Sequence, residues 1–154
     1  DLSNADLSNA DLSNADLSGA DITDTKLDGA ILCHTKMPNG KRVYSNCKNA
    51  NLNIVNFFIT NLSKVDLRGV DFRGADLSFA DLSEANLTGA NLSKAKLKFA
   101  DLIGANLRQA DLWKADLWKA DLSKANLTNT KLDGAFLCHT TMPDGKEDNS
   151  SCEK

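Results

Sequence analysis

Aromatic side chains are scarce in this chain of 154 residues, with six Phe, two Trp and one Tyr, so the interior falls to Leu and Ala. Histidine occurs only at His34 and His139, and neither stands with Ser, Cys or a carboxylate in a nucleophile arrangement. No glycine-rich phosphate loop is present either. These absences exclude the usual catalytic constellations, and the chain is not expected to be an enzyme or to need a cofactor. There is no apolar run near the ~18–20 residues that cross a membrane, so membrane insertion is not expected. No basic stretch followed by an apolar core opens the sequence, so no signal peptide is expected in it. The chain begins in mid-repeat without Met, which fits a removed targeting segment or an engineered truncation.

Charge is the next thing in short supply. The formal net charge is −3, and it is unevenly spread. Residues 1–32 carry −6, residues 33–60 carry +4, residues 61–125 carry +1, and residues 126–154 carry −2. A sustained basic face, the footprint of a nucleic-acid binder, is missing.

What is present is a five-residue refrain, as in "ADLSN", "ANLTG" and "ADLWK". Every fifth residue from Leu52 to Leu137 is Leu or Phe, eighteen of eighteen, which fixes the frame. Two positions earlier stands Ala or Val, except at Thr60 and Thr130. The block from Leu2 to Leu32 keeps the same frame with Leu or Ile. On an α-helix, five residues advance about 500°, so successive leucines land about 140° apart and wander around the axis. In a flat strand an odd period throws every second leucine outward. The chain must therefore turn a corner about once per five residues, which makes it a solenoid whose coils stack Leu on Leu and Ala on Ala.

The refrain resembles the A(D/N)LXX signature of the pentapeptide-repeat proteins, over roughly residues 1–37 and 50–142. The resemblance implies an all-β fold, a right-handed quadrilateral β-helix with four pentads, or twenty residues, per coil. The expected organisation is a single rod over 1–154. Its parts are a first repeat block at 1–37, a loop protruding at 38–49, a main block at 50–142, and a disulfide-closed cap at 143–154.

One irregular passage is used twice. Residues 21–47 and 126–152 share seventeen of twenty-seven positions, including Cys33/Cys138, His34/His139 and Cys47/Cys152. In both, Met-Pro-(Asn/Asp)-Gly breaks the refrain, since proline lacks a donor and glycine permits a turn. With coils of twenty residues, Cys33 and Cys138 lie about five coils apart, on the order of 25 Å at β spacing. A disulfide needs Cα atoms within about 7 Å, so Cys33–Cys47 and Cys138–Cys152 are the favoured pairs. Free thiols of a reducing compartment are the rival. A metal site of Cys, His and Met is set aside, because fourteen-residue spacing matches no compact zinc pattern. The cysteine-flanked ending is similar to those of cyanobacterial and chloroplast-lumen members of the family. That implies an oxidising thylakoid lumen or periplasm.

Stacking every twentieth residue places Ile59, Phe79 and Phe99 in one outward column, followed by Lys119 and His139. Trp113 and Trp118 fall on adjacent faces of one coil, with Lys98 beside Trp118. These five apolar residues are the candidate contacts of a protein partner, and a coil end or the aromatic face is a candidate homodimer surface. Asp81, Asp101 and Asp121 form an acidic column, read as solvated rather than metal-binding. The function expected is a non-enzymatic structural or protein-interaction module. The alternative, implied by the same resemblance, is a DNA-mimicking inhibitor of DNA gyrase of the quinolone-resistance type. That mimicry wants acid along the whole rod, which the near-neutral middle does not supply. The three identical "DLSNA" units at the start read equally as natural duplication or as an engineered extension.

Overall fold

The structure, a computed structural model, describes residues 1–152. The backbone is a β-helix, in which short parallel bridges join residues twenty apart, such as Asp81 to Asp101 and Asp101 to Asp121. Each bridge is closed by paired backbone bonds: Leu82 N–H donates to Asp101 O at 2.7 Å, and Asp101 N–H donates to Ala80 O at 3.0 Å. Between bridges the chain makes a corner, where Ala85 N–H donates to Leu82 O at 3.0 Å. No helix among the described residues is long and apolar enough to cross a membrane.

Composition follows from that corner. The second residue after each central Leu has φ near +60°, a region favouring Gly and Asn. Where Asp or Asn stands before the central Leu, its side chain caps the same corner. Ser83 N–H donates to Asp81 Oδ1 at 3.0 Å, and Trp113 N–H donates to Asp111 Oδ1 at 2.9 Å. Where Ser follows, its hydroxyl can join in; the Ser18 hydroxyl and amide hold Asp16 down to about 2. The refrain is thus a turn with its own cap attached, and Leu and Ala are the residues left facing inward.

Burial differs sharply between the two blocks. The central Leu and Phe residues from Leu52 to Leu122 are all fully buried. Those from Leu2 to Leu32 are only half-buried. The bridges explain why: they fall into two runs, 6–36 and 51–141. A leucine deep in the long run has a coil above and below it, whereas the short run is a two-layer stack with little on its outer side.

The two runs are joined by the irregular passage. Strands β1 (Leu32–Lys36) and β2 (Arg42–Ser45) form an antiparallel hairpin with a bulge at His34, and Cys33–Cys47 bridges its base. The second copy repeats this with β3 (Thr140–Thr141), β4 (Glu147–Asp148) and Cys138–Cys152. Both hairpins turn on a glycine at φ near +80°, Gly40 and Gly145. Both are anchored by inward threonines. Thr35 and Thr140 donate at 2.7 Å to the carbonyls of Leu12 and Leu117, and Thr25 and Thr130 make the equivalent bonds two corners earlier.

At the joint, His34 packs 4.4 Å from Phe57 and 5.8 Å from Tyr44 between ring centroids, and Phe57 meets Phe72 edge-on at 5.4 Å. Burial, reinforced by the neighbouring Arg42 guanidinium, pushes the His34 imidazole down to about 4. The unfolded chain therefore binds this proton from about pH 6.5, while the folded chain resists it to about 4. Stability from His34 is present in full above pH 6.5 and is lost as pH falls toward 4. Thermal unfolding should show that slope, and His34→Asn should flatten it; an unchanged slope would place the titrating group elsewhere.

An aromatic ladder on the flank of the coil

Four side chains on one flank of the long run form a continuous ladder. Phe58 meets Phe79 edge-on at 5.5 Å, Phe79 stacks on Phe99 at 4.6 Å and 14°, and Phe99 meets Trp118 edge-on at 4.9 Å. The twenty-residue stacking brings Phe79 and Phe99 into register, and Phe58 and Trp118 lean in from the neighbouring corner position. Phe58 escapes the column reading because it lies one residue before Ile59; pairing both corner residues of each coil finds it. Ammonium groups cover the far end: Lys119 Nζ stands 4.8 Å from the Trp118 ring and 5.7 Å from Phe99, and Lys98 Nζ stands 5.9 Å from Trp118. Lys98 also pairs with Asp116 at 3.2 Å.

These rings remain accessible; Phe58 is 49% and Phe79 48% exposed. Ile59 beside them is 68% exposed and takes φ +57°. A β-branched residue in the left-handed region is strained, and here the strain is paired with apolar exposure. Neither condition helps folding.

Trp113 is not part of the ladder. It lies on the adjacent flank with Lys114 at 4.5 Å and Lys94 at 5.2 Å from its ring. It closes a groove of about 520 Å³ whose other walls are Ile54, Arg73 and Lys94, with Gly74 as floor. Arg73 is held by Asp71 at 2.6 Å, so the groove's unpaired cation is Lys94. The acidic column is fully employed in corners: Asp81, Asp101 and Asp121 each accept a backbone N–H two residues on.

The cysteines of each copy pair within that copy, and no free cysteine remains among the described residues. The two histidines part company. His34 is buried, with Nδ1 3.0 Å from Asn14 Oδ1. His139 is half exposed and pairs with the Glu147 carboxylate.

The family profile described as pentapeptide repeats matches this chain in eight copies, over residues 1–37, 44–74, 71–109 and 105–142. Among proteins of curated function none matches the chain significantly. Solved structures are similar to it. HetL, a pentapeptide repeat protein involved in heterocyst differentiation regulation in Nostoc sp. strain PCC 7120, is 28% identical over 93% of this chain and 89% of its own, with a TM-score of 0.34. A second Nostoc PCC 7120 pentapeptide repeat protein, alr5209, is 40% identical over 58% of this chain and 66% of its own, with a TM-score of 0.40. A pentapeptide repeat protein of the Arabidopsis thaliana thylakoid lumen is 28% identical over 67% of this chain and 72% of its own, with a TM-score of 0.43.

Proposed function

We propose, from the premise that this chain belongs to the pentapeptide-repeat family, that it is a non-enzymatic structural and protein-interaction module whose contact face is the aromatic ladder. Proteins of this family are generally non-catalytic. The carrying observation is the unbroken run Phe58, Phe79, Phe99 and Trp118, left accessible together with Ile59. The corner positions of this flank between 58 and 139 hold Lys98, which Asp116 engages, and Lys119, and no acid. Charge complementarity favours a protein segment that offers apolar side chains flanked by carboxylates.

The coil is proposed as right-handed and four-sided with four pentads each, supported by the twenty-residue bridges. The proposed layout is one rod over 1–154, with blocks at 1–37 and 50–142, an interruption at 38–49 and a cap at 143–154. Two disulfides support an oxidising setting, a thylakoid lumen or periplasm. Trp113 with Ile54 is a secondary contact site on the adjacent flank.

Affinity capture from an oxidising-compartment extract tests the ladder. Phe79→Ser/Phe99→Ser should abolish a partner that wild type retains, since ring hot spots are worth about 2 kcal/mol or more. Lys98→Glu/Lys119→Glu should weaken the same partner, and more so at low salt. Equal recovery by all three proteins sinks the proposal. Ile59→Asn should also weaken capture while raising stability by about 1 kcal/mol, because Asn accepts the left-handed conformation. The gyrase alternative is disfavoured by Lys and Arg at the corners, among them Arg68, Arg73, Lys94, Arg108 and Lys114. A supercoiling assay with micromolar protein should show no inhibition of gyrase, and inhibition would restore that alternative.

A further inference from the structure

We propose that the carboxy-terminal hairpin becomes a binding site for zinc, or a similarly thiophilic divalent cation, when its Cys138–Cys152 bridge is reduced, with Cys138, Cys152 and His139 as ligands. The proposal is independent of the ladder.

Three donor atoms, one each from Cys138, His139 and Cys152, lie within 4.8 Å of one another. Thiolate and imidazole are the donors zinc prefers, at about 2.3 and 2.0–2.1 Å, so donors around one ion stand roughly 3.5–3.8 Å apart. Once reduced, the two sulfurs joined in the disulfide move apart to that spacing, and the imidazole turns in toward them. Sequence spacing concealed this arrangement, because fourteen residues separate the two cysteines. The hairpin returns the chain and brings Cys152 back beside Cys138.

When the bridge opens, other bonds still draw the two cysteine limbs together, so the hairpin exchanges faster but keeps its donors within reach of one ion. Thr140 pairs with Asp148 and Thr141 with Glu147 across β3 and β4. Met142 N–H donates to Lys146 O at 2.7 Å in the turn. Asn149 Oδ1 accepts His139 N–H at 3.0 Å and lies 3.4 Å from Cys152 Sγ, tying both cysteine limbs together. Glu147 meets His139 Nδ1, and a carboxylate on a ligating imidazole fixes its orientation and raises its basicity.

The internal copy supplies the contrast. His34 is committed to Asn14 and wedged between Phe57 and Tyr44. Where the terminal copy has Glu147, the internal copy has Arg42, whose guanidinium donates to His34 O at 2.8 Å and sets a positive charge beside any incoming cation. The same cysteines in the same hairpin therefore build a site at one place and none at the other.

The chemistry balances. A dithiol reductant gives two electrons and two protons and becomes a disulfide, while the protein cystine becomes two thiols. Zinc then displaces both thiol protons to solvent and binds two thiolates and a neutral imidazole.

The whole chain, reduced with a dithiol and desalted without oxygen, is titrated with Co²⁺ and then Zn²⁺. One cobalt per chain with a thiolate charge-transfer band, displaced by zinc, is the expected result; the oxidised protein should bind none. Zinc should slow alkylation of Cys138 and Cys152 at least tenfold and leave the rates at Cys33 and Cys47 unchanged, which needs no variant. His139→Ala should weaken binding at least tenfold, and Glu147→Gln by about tenfold. No cobalt band at micromolar metal overturns the proposal, as does equal protection of all four cysteines. Undiminished affinity in His139→Ala overturns the ligand set.

Discussion

Phe57→Ala is expected to destabilise the protein by about 3–5 kcal/mol, the cost of removing a buried aromatic ring from a site that cannot collapse. Phe57 is fully buried, with His34 on one side and Phe72 on the other. The site is rigid because both neighbours are held, His34 by Asn14 and Phe72 by ladder bonds such as its N–H to Asn91 O at 2.7 Å. The location matters as much as the size. The parallel bridges stop at Lys36 and resume at Asn51, so the short stack meets the long run through this aromatic contact and the hairpin. Phe57→Ala should therefore do more than lower stability. Hydrogen exchange should quicken across residues 1–36 well before it quickens across 71–126. Leu97→Ala, deep in the long run, should cost about 2–5 kcal/mol without that separation. Uniform exchange in Phe57→Ala would show that the two runs are coupled by something else.

Cys33→Ala/Cys47→Ala is expected to cost about 3 kcal/mol, the loop-closure entropy of a fourteen-residue separation. The terminal pair closes a loop of the same length, so chain entropy alone predicts the same loss from Cys138→Ala/Cys152→Ala. Position separates them. The internal bridge is buried at the joint, where loss is felt by both runs. The terminal bridge closes a cap whose removal exposes only the last corner. Denaturant unfolding should show the full loss for the internal pair. For the terminal pair, hydrogen exchange should show fraying confined to about residues 137–152. Global loss from the terminal pair, or mere fraying from the internal one, would contradict this account.

How much of this was legible beforehand depends on the scale considered. Leu at every fifth position excluded helix and flat sheet, because neither element points residues five apart in the same direction. The stacking of Phe79 on Phe99 was likewise available from a twenty-residue offset. Phe58 was not, since it occupies the first corner position rather than the second, and its ring reaches the ladder by leaning. Trp113 and Trp118 of "DLWKADLWK", which the repeat already sets on adjacent faces, part accordingly: one joins the ladder and the other walls a separate groove. A corner between them turns their side chains onto different flanks.

By itself the sequence determined the corners and the inward and outward residues, because a five-residue period and a turn motif are local; the favoured pairing of cysteines within each copy needed the twenty-residue coil that the family resemblance implies. Only the tertiary structure decided the fates of the two identical "CHT" segments. His34 is buried because a following coil, beginning with Ala50 and Leu52, closes over it. Among the described residues no coil lies over His139, which is half exposed beside Glu147. What a side chain becomes is set by what packs against it, and that partner lies outside the repeated letters.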